Sequence, residues 1–252
     1  METMKSMLAI SLALMATCTA AVAVQVEPVG LEQVPDAPFE ADEATVYHQD
    51  FEANFDGASG EFSTGEGHWG QGLHMHMPDG RYDVDASGLD LGATGTVEWW
   101  VRPRPVIQAW RDQAWRYFMH ARPAEEGGFQ LDLWRHPRSE LRLSATMGME
   151  PFQPMDYPDE RVEINTRGLD LEEWHHMLVS WDLTGDTQRV WLLLNGEGHE
   201  MTVPAGTFTP GSFASIEFGN RPSGWATPYI PMDGGIDEVR IQNVSVAERL
   251  AQ

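Results

Sequence analysis

Cysteine and lysine are almost absent from this chain. The one cysteine, Cys18, lies in the N-terminal apolar run, and the one lysine is Lys5. A single cysteine excludes an internal disulfide, and no thiol nucleophile or thiolate metal site can form beyond residue 18. Every basic residue after Lys5 is arginine or histidine, and the formal charge of the 252-residue chain is −23. A surface this acidic repels nucleic acid and anionic membranes, so neither is expected as a partner. No apolar run after residue 24 is long enough to span a membrane. Long helical periodicity is missing too, as are internal repeats. Gly-x-Ser-x-Gly, His-Glu-x-x-His and phosphate-loop motifs do not occur.

The N-terminus has one basic residue, Lys5, then an apolar run from Met7 to Val24 that contains Ala21-Val22-Ala23. Residues 1–23 therefore read as a secretory signal peptide, which implies a secreted, periplasmic or extracellular protein. An N-terminal membrane anchor and a lipid-modified Cys18 are the alternative readings of the same segment. Removing 1–23 takes away Glu2 and Lys5 together and leaves the charge unchanged. Residues 24–44 are rich in Pro, Glu, Asp and Ala without a period, and read as a flexible acidic linker.

From Thr45 to Gln252 the chain reads as one domain of about twelve short strands separated by Gly, Pro and Asp turns. The predicted strands are 45–52, 71–77, 80–85, 94–102, 115–121, 128–134, 139–146, 174–183, 187–194, 199–203, 213–218 and 235–242, with a further possible strand at 161–166. Asn195-Gly196, between two of them, is the clearest hairpin signal. Ser245, with Glu248 three residues on, is expected to cap a short C-terminal helical turn ending at Leu250. In 96–102 apolar residues fall on both faces, so that strand is expected to be covered on both sides. In 174–182, Met177, Val179 and Trp181 form the better core face. This pattern predicts an all-β, two-sheet antiparallel jelly-roll sandwich.

Asp237 stands out in the last strand. By alternation it shares a face with Val239 and Ile241, and a buried carboxylate must be paired, hydrogen-bonded or bound to a cation.

Three stretches resemble the laminin G-like, concanavalin A-like lectin/glucanase family. They are Gly95-Thr-Val-Glu-Trp-Trp-Val-Arg-Pro103, Glu173-Trp-His-His-Met-Leu-Val-Ser-Trp-Asp182 with Arg189-Val-Trp-Leu-Leu-Leu-Asn-Gly196, and Gly235-Ile-Asp-Glu-Val-Arg-Ile241. His48-Gln-Asp-Phe-Glu52 and Gly70-Gln-Gly-Leu-His74 also fit. The resemblance covers about 45–252 and implies the concanavalin A-like jelly roll. It further implies a structural Ca²⁺ tying the first strand to the last, held here by Asp50, Glu52 and Asp237. Hydrogen bonding of Asp237 to turn amides is the alternative reading.

Other candidate residues follow from residue type. His74 and His76 share a strand face and, with His68 or His175, would suit zinc if they met. Trp110, Trp115 and Trp225 lie beside Arg, Asp and Gln in turn-rich stretches, where a tryptophan face can stack on a sugar ring. No catalytic residue is assigned. The paired carboxylates of a retaining glycosidase appear nowhere in the glucanase-type spacing. The expected function is non-catalytic recognition of an extracellular or cell-surface carbohydrate. A protein–protein or adhesion module of the cell envelope is the alternative, and an unrecognised polysaccharide-active enzyme the third reading.

Overall fold

Alternating apolar residues between turn dipeptides give short strands of at most ten residues, because each buries one face and solvates or covers the other. The computed structural model describes residues 24–76, 79–103, 115–136, 140–147, 161–167, 169–170, 172–219 and 229–250. The described residues form seventeen strands. The first six are β1 (Gln25–Gly30), β2 (Thr45–Gln49), β3 (Ala58–Ser59), β4 (Phe62–Glu66), β5 (Gln71–Met75) and β6 (Arg81–Asp85). The middle of the chain forms β7 (Thr94–Pro103), β8 (Trp115–Pro123), β9 (Phe129–His136), β10 (Glu140–Met147), β11 (Arg161–Asn165) and β12 (His175–Asp182). The last five are β13 (Thr187–Leu194), β14 (Glu197–Pro204), β15 (Phe213–Phe218), β16 (Tyr229–Pro231) and β17 (Gly234–Gln242).

Two sheets result. The first has the order β1-β14-β13-β12-β7-β17-β5-β4, with β2 also on β17. The second has the order β11-β10-β9-β8-β15-β6-β3, with β16 added parallel to β8. All other pairings are antiparallel, as a jelly-roll sandwich requires. Asn195 and Gly196 both have positive φ, 52° and 82°, which is the twist a two-residue hairpin needs between β13 and β14.

The inner faces interlock. Val97, Trp99 and Val101 of β7 and Met177, Val179 and Trp181 of β12 pack against Phe129, Leu131 and Leu133 of β9 and Phe213 and Phe218 of β15. Each such side chain contributes roughly 1.5–3 kcal/mol by leaving water. Gly95 lies directly opposite Trp181 in the β7–β12 ladder, and a Cβ there would run into the indole. As predicted, β7 is covered on both faces, with Glu98 and Trp100 buried opposite Val97 and Trp99.

What covers that outer face corrects the reading of residues 24–44 as a flexible linker. β1 pairs with β14 from Gln25↔Thr202 to Gly30↔Glu197. The Leu31 amide donates to the Gly196 carbonyl at 2.7 Å, and Leu31 bridges Leu250. Phe39 is buried against His176, its ring centroid 6.0 Å away. The outer face of β12 and β13 carries Leu178, Trp191 and Leu193, and these need an apolar cover, which Val29, Leu31, Val246 and Leu250 supply. Composition concealed this, because a strand of Gln, Val, Glu and Pro has no clear alternation until its partner is known.

Two further corrections concern the C-terminus. The final turn is a 3₁₀ helix, Val246–Arg249, and the Ser245 side chain makes no capping bond. In β17 the register against β7 slips between Asp237 and Arg240, and Glu238 has φ 50°. This bulge adds one residue to the alternation. Ile236, Val239 and Ile241 face the core, while Asp237 and Arg240 pair with Trp100 and Glu98 and turn to the outer face.

Candidate functional site

Three acids were expected to hold calcium. The structure engages each of them on backbone N–H groups instead. Asp237 Oδ2 accepts the amides of His68 and Trp69 at 2.8 and 3.0 Å, and its Oδ1 accepts that of Glu238 at 3.0 Å. Glu52 Oε1 accepts the Gln71 amide at 3.1 Å, and Asp50 Oδ1 the Glu52 amide at 3.1 Å. Converging N–H donors are the surroundings of an anion, whereas Ca²⁺ requires six to eight oxygens around it. These residues do not fit the ion as an Asp50–Glu52–Asp237 site. Among the described residues no group of three or more His, Cys, Asp or Glu is placed to hold a metal. His74 and His76 line one groove but belong to no such group.

Asp237 and Glu52 instead hold the two ends of the loop Gly67–Gln71. A Cβ on Gly67 would lie 2.6 Å from Asp237 Oδ2 and 2.8 Å from the Gln71 carbonyl, so only glycine lets the loop sit this close. The loop presents His68 and Trp69. His68 stacks on Trp100 with centroids 3.7 Å apart and planes 17° apart, and Trp69 meets the same ring edge-on at 5.2 Å. Trp174 stands beside them, 6.3 Å from His68 and 6.4 Å from His74, with the Arg102 guanidinium 5.0 Å over its ring. Trp100 is buried, whereas His68, Trp69 and Trp174 are half-buried. Burial is the first reason that Asp237's carboxyl is pushed up to about 7, and Glu238's charge adds to it; the three amides oppose the shift without cancelling it. Burial and the charge of His176 hold His68 below its ordinary value.

Next to this aromatic group lies a groove of about 600 Å³. Ser63, Thr64 and Glu66 of β4, His74 of β5, His76, Arg102 of β7, Glu172 and Asp233 line it. Gly65, Gly234 and Gly235 also line it.

A second polar place lies on the outer face of the other sheet. Glu217, His120, Asp132 and Ser144 stand in register across β15, β8, β9 and β10. His120 Nδ1 is 2.8 Å from Asp132 Oδ1, and Gln130 Nε2 donates to Asp132 Oδ2 at 2.5 Å. All four are more than nine-tenths buried, so the row is a polar layer of the sandwich rather than an open surface.

Trp110 and Trp225 lie outside the described residues, and Trp115 begins β8. The aromatics of the loop and its neighbour, Trp69 and Trp174, carried signals of another kind. Trp174 opens the Trp-His-His strand, and Trp69 sits in a Gly-His-Trp-Gly turn whose position beside Trp174 depends on tertiary pairing.

With this geometry in view, the family can be stated. A profile described as the Concanavalin A-like lectin/glucanases superfamily matches residues 78–248. The chain belongs to this superfamily. No curated protein matches it in sequence. Among solved structures it is similar to an endo-1,3-beta-glucanase from Streptomyces sioyaensis, at 13% identity over 83% of this chain and 100% of that one, with a TM-score of 0.50. The CBM40 of a Ruminococcus gnavus IT-sialidase bound to α2,6-sialyllactose is also similar, at 10% identity over 81% and 95% of the two chains and a TM-score of 0.50. The receptor binding domain of botulinum neurotoxin type G has a TM-score of 0.51 at 8% identity over 81% of this chain, which spans about half, 48%, of that one. At these identities the likeness is one of fold.

Proposed function

We propose that this superfamily member binds carbohydrate in the groove beside His68, Trp69 and Trp174. One observation carries the reading: the half-buried Trp174 packs on His74 and Arg102, two residues of an open groove that mixes hydroxyl, imidazole, guanidinium and carboxylate groups. A sugar ring needs an apolar face to stack on and hydrogen-bonding groups for its hydroxyls, and this juxtaposition supplies both. The volume of about 600 Å³ suits a short saccharide rather than a single small ion. The superfamily's lectin and glucanase membership and the sialyllactose-bound relative support the same substance class. An adhesion module would present a contiguous apolar patch. The exposed large hydrophobics among the described residues, Val26, Phe62 and Val244, are instead scattered, with Val26 and Phe62 on strands at opposite ends of one sheet. The N-terminal segment fits an exported protein acting on extracellular or cell-surface glycans. No helix among the described residues is long and apolar enough to cross a membrane.

The test is a titration of the purified protein against a panel of soluble polysaccharides, followed by tryptophan fluorescence. A saturable change with at least one of them is expected, weakened about tenfold or more in Trp174→Ala, since one stacked base or sugar face is worth roughly 1–3 kcal/mol. Unchanged affinity in that variant would remove the groove as the binding site.

A further inference from the structure

The groove contains a constellation that glycan binding does not require. Ser63 Oγ lies 2.8 Å from His76 Nε2. The other ring nitrogen of His76, Nδ1, lies 3.8 Å from Asp233 Oδ1, and the Asp233 side chain is only 13% exposed. A hydroxyl on one imidazole nitrogen and a sheltered carboxylate toward the other is the arrangement that activates a serine. The imidazole–carboxylate distance exceeds a hydrogen bond, but catalytic contacts are commonly long before substrate orders the site. The three residues come from β4, the position just after β5 and the position just before β17, so sequence spacing does not reveal them.

We infer that Ser63, His76 and Asp233 form a hydrolytic triad that cleaves O-acyl esters of a saccharide bound in the groove. The saccharide part of this inference rests on the function proposed above; the triad does not. In the first half-reaction the Ser63 oxygen bonds to the ester carbonyl carbon while its proton passes to His76 Nε2. Asp233 stabilises the imidazolium. Collapse of the tetrahedral intermediate breaks the carbon–oxygen bond to the sugar, and His76 returns the proton to the departing sugar hydroxyl. Water then adds to the acyl-serine with His76 again taking a proton, and collapse of that adduct breaks the bond to the Ser63 oxygen, to which His76 returns the proton. The products are a free sugar hydroxyl and a carboxylic acid, and Ser63 is regenerated.

The developing oxyanion has donors at hand. The His76 amide donates to the Glu61 carbonyl at 2.8 Å, so Glu61 and, by the antiparallel alternation, Ser63 direct their backbone groups at β5. Thr64, the next residue, then points its amide away from β5, on the side where β4 ends its sheet among the described residues. Arg102 adds a cation to the same groove.

The experiment treats the purified protein with diisopropyl fluorophosphate and maps adducts by peptide mass spectrometry. In parallel it measures release of p-nitrophenol from p-nitrophenyl acetate and of acetate from an O-acetylated polysaccharide. The expected result is an adduct on Ser63, with turnover reduced about 100-fold or more in Ser63→Ala and His76→Ala. Ser63 is exposed, so the Ala variant should fold, and an unchanged far-UV circular dichroism spectrum and thermal midpoint of Ser63→Ala check this. Protein that binds glycan but neither labels at Ser63 nor releases acetate overturns the triad and leaves the carbohydrate reading standing. Turnover through Ser63 without any glycan binding supports the triad and overturns the carbohydrate reading.

Discussion

Replacing Glu98 with Gln should destabilise the protein by about 3 kcal/mol, and the structure shows why. Glu98 is wholly buried at 0% exposure on the outer face of β7. Its Oε1 accepts Arg240 Nε and Nη2 at 2.9 and 2.6 Å and Arg249 Nη1 at 3.0 Å. Its Oε2 accepts Arg249 Nη2 at 3.0 Å and contacts His176 Nε2 at 3.2 Å. Although burial alone would raise it, these partners hold the carboxyl well below the ordinary carboxylate range. Removing one partner of a buried ion pair costs about 3–5 kcal/mol, because the remaining charges lose their counterion. Here the arginines are 13% and 33% exposed and can recruit water, which places the cost at the lower end. The same network ties residues 39–40 to the 3₁₀ turn that ends at Arg249. Arg240 Nη1 donates to the Glu40 carbonyl and its guanidinium covers Phe39, while Arg249 belongs to the last turn. Urea unfolding should therefore show a lower midpoint at unchanged slope. Hydrogen exchange should rise first in 31–44 and 244–250. The pH dependence has a definite sign. A folded-state pKa below the unfolded value makes this stabilisation complete above about pH 4.5 and progressively lost below it, so the variant and wild type should converge in acid. A loss below about 1 kcal/mol, or equal losses at pH 3 and pH 7, would refute the network as the fastener of these two segments.

Asp237→Asn should cost about 1–3 kcal/mol, since one loop amide then faces an amide rather than an oxygen. Because the Asp237 carboxyl titrates near 7 when folded, its contribution is largest below about pH 4 and declines as pH rises toward 7, by at most about 1.4 kcal/mol per unit, and the Asn variant should lack that slope in pH-dependent urea melts. Gly67→Ala should destabilise by about 1–3 kcal/mol and weaken glycan binding through loop displacement. Gly88→Ala, where an added Cβ meets nothing within 4 Å, should stay within about 0.5 kcal/mol of wild type. Chelation with EDTA should leave the thermal midpoint unchanged, because amides occupy the carboxylates that calcium was expected to use; a fall reversed by added Ca²⁺ would show that the ion binds after all.

The strands were legible because alternation and turn chemistry are local. β13 and β15 have the predicted bounds, and the Asn195-Gly196 hairpin forms as its φ requirement dictates. β1, β3, β4 and β16 were missed, all short or lacking an apolar stripe, so that partners rather than propensity define them. The Asp237 anomaly was visible, but its meaning was not. A one-residue bulge reverses which face a side chain occupies, and no local pattern predicted it.

The sequence alone determined the class of fold, the two-sided burial of β7 and the absence of thiol chemistry, because composition and period-two alternation act over a few residues. Tertiary structure decided everything that joins distant strands. It placed Asp237 beneath the amides of His68 and Trp69, set Trp174 against that loop, folded residues 24–44 onto the outer sheet and brought Ser63, His76 and Asp233 into one groove. Those juxtapositions depend on register and on one bulge, which are properties of paired strands and not of any segment by itself.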